Sequence, residues 1–177
     1  MKKFTFFCLF TAMVLLSVHI EAQTPLPNNS LNFGLGAGID YGGFGGRLTY
    51  LPVPYVAIFG AAGYNLLALG WNAGVQIIFL PYKKVTPTLG AMYGYNGVIK
   101  IKGADYYNKT YYGPSVSAGM QINSTKRPGN YFNLELILPF RPQEFYDDMD
   151  VIKNDPNIEI YSEPLPVAFS IGYHFRL

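Results

Sequence analysis

Two charged residues occupy positions where the surrounding pattern otherwise puts small or neutral ones. Arg47 and Glu135 each fall on the polar side of a run in which polar and apolar residues alternate. An unpaired charge facing an interior is costly. The two are therefore expected to form an interior ion pair, either as a strut or as the gate of a narrow pore. His174 lies in the last run and is the only histidine beyond residue 19. It is expected to be a packed or hydrated interior residue, because a nucleophilic relay also needs a positioned nucleophile and an acid. Between residues 139 and 166 the chain is acidic: Glu144, Asp147, Asp148, Asp150, Asp155, Glu159 and Glu163 face only Arg141 and Lys153. Hard cations favour carboxylate oxygens, but Asp147-Asp148-Met149-Asp150 lacks the spacing of an EF-hand loop. A solvated acidic loop is expected there. An earlier connection carries Lys100, Lys102 and Lys109 against Asp105, so contact between the two connections is expected. The spacing assembles no phosphate loop, metal cluster or catalytic triad, and the expectation is a non-catalytic chain with no cofactor and no metal.

The elements that hold these residues are short. Of the 177 residues, 50% are hydrophobic, 16% aromatic and only 14% charged, against about 25% charged in soluble domains. Nineteen glycines and thirteen prolines disfavour long helices. A net charge of +2, with no Lys/Arg cluster longer than two adjacent residues, is too small to imply a nucleic-acid partner, and none is expected. Lys2 and Lys3 precede an apolar run from Phe4 to about Val18, followed by His19-Ile20-Glu21-Ala22. This is the layout of a secretory signal peptide over residues 1–22, cut after Ala22, and the run is too short to span a bilayer as a helix. The single cysteine, Cys8, lies within it. The processed chain is then expected to have no thiol chemistry, with residues 23–30 as a periplasmic lead-in and 31–177 as the folded domain.

Residues 31–177 contain eight segments with the period of two that marks strands. In the first, Leu31, Phe33, Leu35, Ala37 and Ile39 alternate with Asn32, Gly34, Gly36, Gly38 and Asp40. In the last, Val167, Phe169, Ile171, Tyr173, Phe175 and Leu177 alternate with Ala168, Ser170, Gly172, His174 and Arg176. Ile78 and Met92 stand off pattern, and the third segment, about Tyr55–Tyr64, is apolar on both faces and has no assignable phase. About ten residues at ~3.3 Å each, tilted ~45°, cover ~23 Å of height, close to the ~25 Å apolar band of a membrane barrel. A soluble barrel would put Lys and Glu on its outer face. Here the polar face is Gly, Asn, Ser, Thr and Gln, which suits a narrow lumen, and the apolar face suits lipid. The fold expected is all-β: an eight-stranded antiparallel up-and-down transmembrane barrel. If the amino terminus is periplasmic, the links after strands two, four and six are periplasmic and short. The long ones, about 97–109 and 139–166, are then extracellular. Aromatic girdles are expected from Phe44, Tyr64, Trp71 and Tyr95 at the outer interface and from Phe33, Tyr50, Phe79, Phe132 and Phe175 at the inner one.

The last eight residues, Ser170-Ile-Gly-Tyr-His-Phe-Arg-Leu177, resemble the carboxy-terminal assembly signal of outer-membrane barrels at Ser170, Gly172, Phe175 and Leu177, with Leu in place of the common terminal Phe. With the signal peptide and the eight alternating segments, the chain resembles the OmpA/OmpX-like outer-membrane barrel superfamily in architecture. The resemblance implies insertion into the outer membrane of a Gram-negative bacterium by the barrel assembly machinery, with both termini periplasmic. Lipid and an extracellular ligand are the other expected partners. Ending at Leu177, the chain is expected to lack the peptidoglycan-binding domain of full-length OmpA-type proteins. The role expected is structural or surface-binding, through loops near 97–110 and 139–166. The alternatives are a narrow pore gated by Arg47 and Glu135, and a lipid A-modifying enzyme. His174 stands at the wrong end for the enzyme, whose chemistry lies near the outer leaflet.

Overall fold

The computed structural model describes residues 29–101, 105–155, 158 and 164–177. The expected signal peptide at 1–22 and most of the lead-in lie outside the described residues, as do Lys102, Glu159 and Glu163. Eight strands follow in order: β1 (Ser30–Gly38), β2 (Gly43–Val53), β3 (Val56–Tyr64), β4 (Leu69–Ile78), β5 (Val85–Ile99), β6 (Lys109–Asn123), β7 (Tyr131–Pro139) and β8 (Ala168–Arg176). Each pairs antiparallel with the next, and β8 returns to β1 through Asn32↔Arg176 to Ala37↔Ile171, closing the barrel. Closure gives every strand a hydrogen-bonded partner on both sides. The amide of Leu177 extends the seam by donating to the Leu31 carbonyl at 2.9 Å.

The side chains are distributed inside out relative to a soluble domain. Leu35, Leu48, Ile58, Val75, Leu89, Leu136 and Phe169 are exposed on the outer surface, whereas Arg47, Gln76, Asn133, Glu135 and His174 are all buried. Strand alternation produces this directly, since successive side chains point to opposite faces. β3 also acquires its phase: Ala57 and Phe59 point inward, Ile58 and Tyr64 outward. Its inward face is apolar because Phe59 packs in the lumen with Ile39, Met92 and Ile137. Ile78 points inward too, packing with Leu51 and Ala57. The off-pattern residues thus mark two apolar clusters within an otherwise polar lumen.

Three sequence expectations change. The first strand stops at Gly38 rather than Asp40, because Gly38 takes φ +144° and the chain enters a 3-10 turn, Ile39–Tyr41, that folds into the barrel mouth. Tyr95 leaves the outer girdle: a register shift between Tyr95 and Gly97 interrupts the ladder, and the ring packs against the lumen cluster around Met92. Tyr93 and Tyr112 take its place beside Trp71, at centroid distances of 6.4 and 5.8 Å. The long acidic connection holds a helix, α1 (Gln143–Lys153). It contains no Gly or Pro and places Phe145, Met149 and Ile152 on one side, at the three- and four-residue spacing of a helix face.

Candidate functional site

The lumen is closed by the chain's own first connection. Gly38, Gly42 and Gly43 have φ of +144°, +69° and +109°, values that cost glycine little and other residues much. They let Ile39, Asp40 and Tyr41 dip into the barrel mouth, packed against β1, β2, β3, β4, β5 and β8, and all three are buried. The Asp40 carboxylate accepts a bond from Arg47 Nη1 at 2.7 Å and a short one from the Ser170 hydroxyl. Arg47 lies over the Phe59 ring, its guanidinium carbon 3.7 Å from the centroid. Its Nη2 donates to Gln76 Oε1 at 3.2 Å; Gln76 Nε2 donates to Glu135 Oε1 at 2.5 Å, and the Thr88 hydroxyl donates to that same oxygen at 3.0 Å.

Arg47 and Glu135 therefore share the lumen, but they do not form the direct pair that the sequence suggested. Asp40 takes the guanidinium and Gln76 bridges the remaining gap. Alternation placed Asp40 as a continuation of the first strand, and only the turn at Gly38 brings it onto Arg47. The result is a polar chain, Asp40–Arg47–Gln76–Glu135, running from the first connection to β7.

Tyr41 makes the second anchor of the plug. Its hydroxyl lies 2.6 Å from His174 Nε2, and the His174 ring stacks on Tyr131 at 4.5 Å between centroids and 9° between planes. Glycines provide the room. A Cβ at Gly36 or Gly172 would collide with the Tyr41 ring, and one at Gly34 with the His174 ring. Two residues of the carboxy-terminal motif thus have structural duties: Ser170 bonds Asp40 and Gly172 accommodates Tyr41. Phe175 and Leu177 lie on the exposed surface. Ser170 is bonded to Asp40 and His174 to Tyr41, so serine, acid and histidine are not joined in one relay.

The end of the barrel opposite the chain termini carries a separate assembly. β5 and β6 are 15 residues each and overshoot their neighbours. α1 lies on this hairpin, burying Phe145 and Ile152 against Ile99 and Tyr111, with the Tyr111 and Phe145 rings edge to face at 5.0 Å. Lys109 Nζ donates to Glu144 Oε1 and Asp148 Oδ2, each at 2.7 Å, and the Tyr111 hydroxyl donates to Asp148 at 2.6 Å. The Lys109 ammonium, then the Tyr111 hydroxyl, hold the Asp148 carboxyl below its ordinary range. The expected contact between the two connections is thus present, through Lys109. Asp147 accepts from Gln143, and Asp155 from the Tyr107 hydroxyl at 3.2 Å. Among the described residues no group of three or more Asp, Glu, His or Cys side chains is arranged to hold a metal.

Fold and lumen together define a closed eight-stranded β-barrel with a polar, self-plugged interior and an apolar exterior. No family profile and no curated protein matches the sequence. Among solved structures, the chain is similar to the N-terminal β-barrel domain of Pseudomonas aeruginosa OprF, at 12% identity and a TM-score of 0.39. That alignment covers 84% of this chain and 98% of the other.

Proposed function

We propose that the chain is an outer-membrane barrel whose plugged body serves as a rigid anchor and whose capped outer mouth does the work, as a non-catalytic structural or surface-binding protein. One observation carries this reading. Leucine, isoleucine and phenylalanine cover the outside of the barrel while an arginine, a glutamate and a histidine are sealed inside it. Exposure of so much apolar surface is unfavourable in water and favourable in hydrocarbon. The reading places both termini and the short connections in the periplasm, and the β5–β6 hairpin with α1 outside the cell, where they would meet an extracellular ligand. Delivery by the barrel assembly machinery follows from the same reading.

Membrane fractionation, then gel migration with and without boiling, tests the anchor. The folded barrel should partition with outer-membrane lipid and change mobility on heating; a freely soluble periplasmic product without detergent would overturn it. Ile171 faces outward on β8, and Ile171→Arg should cost about 2–4 kcal/mol if it meets the bilayer midplane. Altered lipid A mass spectra on overexpression would replace the anchor by an enzyme.

A narrow pore is the second reading, favoured by the charged chain Asp40–Arg47–Gln76–Glu135 held inside the lumen. Planar-bilayer recording separates the two. The anchor is expected to be silent, and the pore to give discrete openings that increase when Asp40 is replaced by Asn.

A further inference from the structure

The connections at the outer end differ in kind. The first is folded into the lumen, the third carries the lysine-bearing hairpin, and the fourth carries the acidic helix. The second, between β3 and β4, is a four-residue turn, Asn65-Leu66-Leu67-Ala68, made almost wholly of apolar residues. Leu66 is 48% exposed and Leu69, the first residue of β4, 69%. The turn is held firmly in this state. The Asn65 side-chain oxygen accepts from the amides of Leu67 and Ala68 at 3.1 and 2.9 Å, and its amide nitrogen donates to Thr110 at 3.1 Å. Leu66 sits at φ +78°, an uncommon conformation for a residue with a large side chain. Its carbonyl accepts both the Tyr64 hydroxyl, at 3.0 Å, and Lys100 Nζ, at 2.9 Å.

Around the turn stand Phe44, Tyr64 and Trp71, all exposed, and the Tyr112 hydroxyl reaches the Leu69 carbonyl at 3.4 Å. The apolar exterior therefore continues over the rim at β3–β4 instead of ending below it. Lys100 adds a cation at the edge of this patch. Among the described residues it donates to a carbonyl, that of Leu66, which leaves its positive charge uncancelled by that contact. Exposed leucines, aromatic rings and a lysine side by side are the residue types that meet acyl chain, aromatic belt and anionic headgroup at a membrane interface.

We propose that the β3–β4 turn is a lipid-embedded turn. Leu66 and Leu69 enter the acyl region of the outer leaflet, Lys100 binds an anionic lipid headgroup, and the barrel sits deeper in the bilayer on this side than on the β5–β6 side. The proposal rests on the membrane-barrel reading, and its test separates the two. The sole cysteine, Cys8, lies in the expected signal peptide, so single cysteines can carry spin labels in the refolded barrel without it. Labels at Leu66 and Leu69 are compared with one at Leu35, on the barrel wall, and one at Tyr106, in the β5–β6 connection. The vesicles are phosphatidylcholine with phosphatidylglycerol, and the readout is collision with oxygen against a water-soluble nickel complex.

The expected result is lipid-like accessibility at Leu35, Leu66 and Leu69 and water-like accessibility at Tyr106. Lipid-like behaviour at Leu35 with water-like behaviour at both leucines overturns the turn but leaves the barrel in the membrane, and would assign the patch to a protein partner. Water-like behaviour at Leu35 as well overturns the membrane reading itself. Boiling-dependent gel mobility confirms that each labelled variant is folded; Leu69, in ordinary strand backbone, guards against a Leu66 variant that fails. Trp71 is the only tryptophan, and its quenching by brominated lipid reads the headgroup preference. Brominated phosphatidylglycerol should be enriched about fivefold over brominated phosphatidylcholine, the ratio given by ~1 kcal/mol per basic residue near an anionic surface. Lys100→Glu should abolish the preference, and an unchanged ratio would remove Lys100 from the site.

Discussion

Two ionic contacts in this chain have the same length and opposite surroundings. Arg47 meets Asp40 at 2.7 Å inside the lumen with both side chains almost fully buried, whereas Lys109 meets Asp148 at 2.7 Å on the cap that α1 forms over the β5–β6 hairpin, with 41% and 35% of each side chain exposed. Distance alone would rank them equal. Surroundings do not: a pair in water gains little because solvent screens it and the long side chains lose freedom. A buried pair becomes expensive as soon as one member is removed, because the other is stranded. The plug is therefore expected to behave as part of the barrel's stability, and the cap as a surface held mainly by its apolar contacts.

The largest effect should come from breaking the buried side. Arg47→Ala strands Asp40 directly and removes the cation that reaches Glu135 through Gln76, and should destabilise the barrel by about 3–5 kcal/mol. Urea titration of the refolded barrel checks it, and an unshifted midpoint would mean that the lumen is wet enough to solvate both carboxylates. Next comes Gly172→Ala. The added methyl falls on the Tyr41 ring and within 3.0 Å of the Leu35 carbonyl, so the plug must move, at about 1–3 kcal/mol of overpacking. If Tyr41 is the obstacle, the cost should largely vanish in a Tyr41→Ala background. A double-mutant cycle with no coupling would show instead that the backbone, not the plug, requires glycine there.

The two regions were also unequally legible in the sequence. Alternation alone placed Glu135, Ser170 and His174 on the lumen side, because a strand has one simple period. It missed the plug, since nothing in a period of two says that Gly38 will turn the chain inward and aim Asp40 and Tyr41 at residues more than 100 positions away. The cluster Gly36, Gly38, Gly42 and Gly43 around Asp40-Tyr41 was the available signal: so many glycines beside an acid and a ring ask what approaches them. Ile78 and Met92 were the other clue. As exceptions to the polar face they marked where the lumen is apolar, and Met92 lies where Ile39 enters. The helix α1 was obscured by its charge, since acidic residues between two prolines, Pro142 and Pro156, read first as loop.

On the exposed side the expected effects are smaller. Lys109→Ala removes both contacts to α1, but each lies in water and should contribute about 1 kcal/mol or less. Hydrogen exchange of the α1 amides is the suitable measurement, because the global unfolding midpoint should hardly move. The loss of protection should shrink further in high salt, where the wild-type pairs are already screened. A loss comparable to that of Arg47→Ala would mean that the cap is a cooperative part of the barrel.

The smallest expected effect concerns acid. Asp148 is held below its ordinary value of 3.8 by the Lys109 ammonium and the Tyr111 hydroxyl, so folding lowers its proton affinity. Such a group stabilises the docked helix fully above its unfolded value, and the contribution is lost as pH falls through the lower, folded value. The cap should therefore be insensitive to pH from neutrality down to about 5, and α1 should loosen only below about pH 4. Exchange protection of α1 as a function of pH, corrected for the intrinsic rate, reads this directly. Asp148→Asn should remove the acid dependence while leaving the burial of Phe145 and Ile152 in place. A transition near pH 6 that survives in Asp148→Asn would mean that some group other than this carboxylate controls how the cap is held.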